Sequence, residues 1–155
     1  MTLQFGTDGV RGPAGTVLTE PVVRALGFAA AGHLGAETVV IGHDTRVSSV
    51  PLSLALAEGF LAGGIKVRLL GMVPTPAVAH VASADSVAGA IVSASHNSWG
   101  DNGVKLFAQG GRKLDDFLQA NLQATWDATP ELDIITGKVP LPRPDSRWEL
   151  SLIHI

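Results

Sequence analysis

The stretch VAGAIVSASHNSWGDNGVKLFA, Val87–Ala108, sets the architecture of the chain. Its first six residues are an uninterrupted apolar run, short enough to be a strand and apolar enough to be buried. Its last five, Val104–Ala108, read as a second strand. Between them the chain passes abruptly through Ser, Ala, Ser, His, Asn, Ser, Trp, Gly, Asp, Asn and Gly. A buried strand therefore delivers Ser95 and His96 to the surface in a loop of small and polar residues.

Upstream, the same strand grammar repeats with helices in between. TVVIG (Thr38–Gly42) is short and β-branched, and Ile65–Leu70 alternates apolar with basic residues, as a strand with one wet face does. Thr19 reads as an N-cap, with Glu20 and Pro21 in the first turn of a helix whose inner face is Val22, Leu26, Ala29/Ala30 and Leu34, ended by Gly35. Ser48 or Ser49 opens a second helix with the stripe Leu52, Leu56 and Phe60, stopped by Gly63-Gly64. A short third helix begins at Thr75-Pro76. A fourth carries Leu114, Phe117/Leu118, Leu122 and Trp126. Leu3–Phe5 reads as a short first strand, and Gly6–Gly15 as a glycine-rich loop. Strands alternating with helices predict a layered α/β/α domain with a mixed, mostly parallel sheet. The domain is expected over 1–130. The Pro-rich run that includes VPLPRPDS makes 131–150 a linker, and 151–155 (SLIHI) follows no pattern that assigns it.

Composition narrows the function. The chain has 155 residues, 46% of them hydrophobic, which is enough for one domain with a real core. A formal net charge of −3 without a basic run argues against nucleic acid and against anionic membranes as partners. No apolar run is long enough to span a bilayer, and Asp8 and Arg11 interrupt the N-terminus where a signal peptide would be apolar. The absence of cysteine fits a reducing, cytoplasmic setting and removes disulfides and thiolate metal sites.

Three polar loops leave strand ends: GTDGVRG (Gly6–Gly12), GHDTR (Gly42–Arg46) and SASHNSWGDNG (Ser93–Gly103). In open α/β sheets such loops meet beyond the carboxyl ends of the strands. Their residue types suit an anion. Gly9 and Gly12 let backbone N–H groups approach, Arg11 and Arg46 offer forked donors, and Asn97 adds an amide. Ser95 offers a hydroxyl that can carry a group covalently, and His96 and Lys105 can move protons or hold charge. Plainer readings stand beside these. Glycine loops make ordinary turns, Asp44 and Arg46 suit a structural pair, His43 suits a backbone bond at a strand end, and Lys105 suits a wet strand face. A metal site from His43, Asp44, His96 and Asp101 lacks the compact carboxylate spacing that hard cations prefer. A Ser–His hydrolase would need side chains of sequence neighbours to converge, and they tend to diverge.

Together FGTDGVRG, GHDTRVSS, PTPAVAH and GAIVSASHNSWGDNGVKLF resemble, in order and spacing, the first of four domains of the α-D-phosphohexomutase family, and most closely its bacterial phosphoglucosamine mutase branch. That resemblance covers about Leu3–Leu150. It implies that Ser95 is the phosphoserine that exchanges phosphate with a hexose or hexosamine phosphate, glucosamine 6-phosphate becoming glucosamine 1-phosphate through a bisphosphate. It implies that Arg11 and Lys105 are the basic pair beside the reacting groups, that His96 contacts the transferring region, and that the full-length enzyme forms a homodimer. It also implies a Mg²⁺ cofactor for which the Ser95 phosphate is one ligand, the others lying in a domain absent from this sequence. A phosphomannomutase or phosphoglucomutase, and a non-catalytic binding or assembly module, are the alternatives. The family's usual proline after SHN is replaced by Ser98, which predicts a looser loop.

Overall fold

The computed structural model describes residues 3–6 and 8–131. The elements run β1 (Val10–Pro13), α1 (Glu20–Ala31), β2 (Thr38–His43), α2 (Ser49–Ala62), β3 (Lys66–Met72), α3 (Thr75–Ala84), β4 (Ala88–Val92), β5 (Asp101–Ala108), β6 (Arg112–Lys113) and α4 (Asp116–Ala128). They form one mixed sheet in the order β1-β5-β4-β2-β3, with β6 also paired to β5.

The expected α/β/α layering is present. Alternate residues of β4 face opposite layers: Ala88, Ala90 and Val92 join the core under α1, α2 and α4, whereas Ile91 joins Val40, Val78 and Phe107 under α3. All five residues of β4 are buried, and it is the middle strand, so the apolar run of the sequence is the centre of the sheet.

The expected parallel majority holds for β4-β2-β3 only, where both pairings are parallel. The β4–β5, β1–β5 and β5–β6 pairs are antiparallel. The reason is loop length. Eight residues, 93–100, join β4 to β5, too few for the crossover that a parallel neighbour requires.

The N-terminus also departs from expectation. Leu3–Phe5 is not a strand. The side chain of Gln123 on α4 takes the place of a strand partner, accepting from Phe5 N–H at 2.6 Å and donating to the Leu3 carbonyl at 3.3 Å. The first strand lies instead inside the stretch expected to be loop, with Val10, Arg11, Gly12 and Pro13 opposite Val104, Gly103, Asn102 and Asp101. Pro13 is tolerated because it closes a short edge strand. Helix α1 ends at Ala31 with Gly32 as its C-cap, short of Gly35, although Leu34 still fills the core below it. In α4 it is Leu118 that packs inward, and Phe117 is exposed. The expected linker over 131–150 and the segment 151–155 lie outside the described residues except for Glu131.

Candidate active site

Ser95 stands exposed in the loop that leaves the central strand. Its φ is +56°, in the left-handed region that a residue with a side chain occupies at a cost of roughly 1–2 kcal/mol. Something must hold it there. Part of the answer is local: the Ser95 N–H donates to Ser93 Oγ at 3.0 Å, and Asn97 N–H donates to the Ala94 carbonyl at 3.1 Å.

The larger part comes from the loop after β2. Arg46 Nε donates to Asp44 Oδ2 at 3.1 Å, Nη2 to the carbonyls of Ser95 (3.1 Å) and Asn97 (3.0 Å), and Nη1 to those of Asp101 (3.0 Å) and Ser98. A guanidinium has five N–H donors, and all five are engaged. The sequence reading places Arg46 on phosphate. In this arrangement it has no donor left for one and straps the serine loop instead. The same bond to Ser98 answers the expectation of a loose loop, since the residue that replaces proline is one of the points held.

Asp44 orients that strap. Its Oδ1 accepts from Ser49 Oγ at 2.5 Å and from the Arg46 N–H at 3.0 Å. Burial would raise the Asp44 pKa, but hydrogen bonds from Ser49, the Arg46 backbone, Ser93 and the Arg46 side chain outweigh it and hold the carboxyl below its ordinary value. A depressed carboxylate pKa stabilises the fold above the ordinary value and loses that contribution as pH falls through the folded one. Asp44→Asn is therefore expected to lower stability by roughly 2 kcal/mol at neutral pH. The gap between variant and natural chain should close on acidification below the ordinary carboxylate range. Urea midpoints measured across pH test this, and a gap that widens in acid contradicts it.

Asn102 completes the network. It is fully buried, donates to Ser48 Oγ (2.8 Å) and Ser49 Oγ (2.9 Å), and accepts from Gly103 N–H (2.8 Å). Sequence reasoning takes Ser48 and Ser49 as helix caps and passes over Asn102. Ser48 stands at the N-cap of α2 without a side-chain capping bond, and both serines bind Asn102. The one available signal is a polar residue directly before an apolar strand.

Of the expected cations, Arg11 is brought to the loop. It lies opposite Gly103 in the β1–β5 ladder, and a Cβ on Gly103 would sit 2.9 Å from Arg11 Cγ and 2.9 Å from the Ser93 carbonyl. The glycine leaves the groove through which Arg11 crosses the sheet. Arg11 Nη1 reaches Asn97 Oδ1 at 3.3 Å, and Asn97 Nδ2 donates to Asp101 Oδ2 at 3.2 Å. Arg11 Nε is buried and has no hydrogen-bond partner among the described residues.

Lys105 shares the face of Gly103 by strand alternation, but its Nζ lies 5.6 Å from the centre of the Phe107 ring, directed along β5 away from the serine loop. His96 approaches Ser95 more closely than is expected of sequence neighbours: Oγ and Nδ1 are 3.4 Å apart, longer than a good hydrogen bond. Gly9 and Gly12 do not offer free N–H groups to the loop. Gly9 N–H donates to the Gly6 carbonyl, and its φ of +81° allows close packing under β5, where a Cβ would meet the Val104 carbonyl at 2.0 Å. Gly12 belongs to β1, and its Cα faces Val17 and Leu3. His43 Nδ1 donates to the Asp44 carbonyl at 2.8 Å, the plainer of its two readings.

Comparison with known proteins settles the family. Residues 2–132 match the profile of the family described as phosphoglucomutase/phosphomannomutase, alpha/beta/alpha domain I. The chain belongs to that family. It is 47% identical over 131 residues to phosphoglucosamine mutase of Chromobacterium violaceum, a match covering 79% of this chain and 29% of the relative. It is 45% identical over 140 residues to phosphoglucosamine mutase of Methylobacillus flagellatus, covering 83% and 31%. A crystal structure from Thermus thermophilus, of a protein provisionally assigned as a phosphomannomutase, superposes with a TM-score of 0.75 at 32% identity, covering 84% of this chain and 30% of that one. The chain thus spans under a third of the length of these relatives.

For this phosphohexomutase domain I the donor set decides what a cation would find. Among the described residues no three His, Asp or Glu side chains stand together as a metal site. Asp44 is committed to Ser49 and Arg46, and Asp101 accepts from Asn97. The described residues do not by themselves fit Mg²⁺. Nor is any helix among them long and apolar enough to cross a membrane.

Proposed function

We propose that this chain is the phosphoserine-bearing first domain of a longer phosphoglucosamine mutase, interconverting glucosamine 6-phosphate and glucosamine 1-phosphate. The observation that carries the reading is Ser95 itself: an exposed hydroxyl at the end of the central strand, held in a left-handed conformation by Arg46 and flanked by an incompletely satisfied Arg11. The relatives named phosphoglucosamine mutase supply the sugar.

In the first step the bond between phosphorus and Ser95 Oγ breaks as phosphorus bonds to the free hydroxyl of the sugar phosphate. The hydroxyl proton leaves to a base, and Oγ takes up a proton. The resulting bisphosphate turns over, and its other phosphate returns to Oγ by the reverse of these bond changes. A phosphoserine carries about −1.5 to −2 charge at neutral pH, so an anionic substrate approaches only if fixed donors offset the repulsion. Arg11 supplies charge there. The 3.4 Å separation of His96 Nδ1 from Oγ supports a part for His96 in that proton exchange. Lys105 serves in this reading only after its ammonium leaves the Phe107 ring. In the longer protein a Ser95 phosphate oxygen would be this chain's ligand to Mg²⁺, whose charge would offset that of the phosphates. A homodimer of the longer protein belongs to the same proposal.

The provisional phosphomannomutase assignment of the Thermus structure favours a second reading, the same chemistry on mannose or glucose phosphates. Turnover of the three sugar phosphates by the longer protein separates them, and faster turnover of mannose or glucose phosphate replaces the first reading with the second. The 155-residue chain alone is expected to show no mutase turnover, because the described residues offer neither a metal site nor a closed substrate cleft. Coupled assay of the purified chain checks this, and measurable turnover overturns it.

A further inference from the structure

We propose that Ser93 is a positioning residue for the reacting hydroxyl: with Arg46 it forms the two arms of one clamp, both set by the Asp44 carboxylate, that fixes the direction in which Ser95 presents Oγ. This rests on the phosphoserine reading of Ser95 and deepens it by naming what aims the nucleophile.

The two peptide planes that flank a Cα fix its φ and ψ, and with them the direction of the Cα–Cβ bond. At Ser95 both planes are held. The plane before Cα carries the Ser95 N–H, which donates to Ser93 Oγ at 3.0 Å. The plane after it carries the Ser95 carbonyl, which accepts from Arg46 Nη2 at 3.1 Å. Between them φ stays at +56°, in a region that a serine seldom occupies. Oγ is left with only its staggered positions about the Cα–Cβ bond. Ser93 is half-buried and Ser95 exposed, so the clamp leaves Ser95 open to solvent.

Both arms start from Asp44. Strands β2 and β4 are parallel with His43 opposite Val92, and the Asp44 N–H donates to the Val92 carbonyl at 3.0 Å. The next residues along, Asp44 and Ser93, therefore meet just beyond the strand ends. The Ser93 N–H is tied to the Gly103 carbonyl of β5 at 2.9 Å. The Asp44 carboxylate accepts from the Ser93 hydroxyl and, at 3.1 Å, from Arg46 Nε. An ionised carboxylate only accepts, so it takes the single proton of the Ser93 hydroxyl and leaves an oxygen lone pair for the Ser95 N–H. It also orients the guanidinium whose Nη2 meets the Ser95 carbonyl. Ser49 Oγ braces the carboxylate in turn, donating to Oδ1 while accepting from the buried Asn102. Phosphoryl transfer is sensitive to where the attacking or leaving oxygen sits, and a displacement of about 1 Å costs roughly 10²-fold in rate.

Two variants test this. Ser93→Ala removes the hydroxyl and Ser93→Thr keeps it. In the longer protein Ser93→Ala is expected to lower kcat roughly 10–100-fold while KM for the sugar phosphate stays within about twofold, and Ser93→Thr should recover most of the loss. A second readout needs no turnover. In the 155-residue chain the ¹³Cα and ¹³Cβ chemical shifts of Ser95 report its backbone conformation, and Ser93→Ala should move them away from left-handed values. Unchanged amides in Ala88–Val92 show that the fold is kept. If Ser93→Ala does not fold, Ser93→Cys, whose thiol is a weak donor and acceptor, is expected to give the same displacement in its place. Unmoved Ser95 shifts, an unchanged kcat, or a KM that rises as far as kcat falls overturns the proposal. The two failures are distinct: near-natural turnover by Ser95→Ala removes the phosphoserine reading, whereas unmoved Ser95 shifts remove the clamp whatever the turnover.

Discussion

Replacing Ser95 with glycine is expected to give a protein that is no less stable and has no phosphoryl transfer. At φ +56° a side chain costs roughly 1–2 kcal/mol, and glycine removes that cost while losing about 0.5–1 kcal/mol through a freer unfolded chain. The net effect on stability is small and favours the variant. The effect on turnover of the longer protein is not small. Deleting a covalent nucleophile costs on the order of 10⁴–10⁶ in rate, or about 5–8 kcal/mol of barrier. Ser95→Ala should lose activity equally but keep the backbone strain, so the pair separates strain from chemistry. Thermal melts and turnover on the same preparations check both. A glycine variant that is clearly destabilised would mean that Arg46 does not hold the loop under strain. An alanine variant with near-natural turnover would remove Ser95 from the mechanism.

The second large effect concerns the scaffold. Helices α1 and α2 touch at Gly27 and Gly59, and a Cβ on Gly59 would sit 2.0 Å from the Arg24 carbonyl oxygen and 2.9 Å from the Phe28 nitrogen. These are backbone atoms of the facing helix and cannot rotate aside. Gly59→Ala must push the helices apart and open the packing of Leu26, Leu56 and Phe60, all fully buried. We expect a loss of about 3 kcal/mol, a large part of the stability of an ordinary domain. The sign makes the test sharp. Helix propensity alone would have alanine stabilise this position by about 1 kcal/mol. Denaturant unfolding of the two chains decides, and a more stable alanine variant would contradict the close approach.

These two positions show what is legible in the sequence. The central strand is legible because burial on both faces writes itself as an apolar run, and Ser95 is legible because the run ends in a recognisable loop. Strand β1 is not. Val10–Pro13 is flanked by glycine and contains proline, and it is a strand only because Asp101–Val104 pairs with it from the far end of the domain. Arg46 is legible as a fork of donors but not in its targets, since those are main-chain carbonyls 49 to 55 residues away, and a carbonyl carries no side-chain signature. Gly103 reads as loop for the same reason. Its need for a missing side chain arises from Arg11 crossing over it, which only the ladder register reveals. Composition assigns the glycines of the first loop to phosphate, whereas at Gly9 the close approach to the Val104 carbonyl accounts for the missing side chain.

The mutase reading turns on whether Ser95 carries phosphate. Peptide-resolved mass spectrometry of the protein isolated from its natural source gives the sharpest check. Phosphate is expected on the peptide containing residues 93–100, localised to Ser95 and absent from Ser93 and Ser98. A bare Ser95, with phosphate restored neither by a hexose bisphosphate nor by turnover with a hexosamine phosphate, would contradict it.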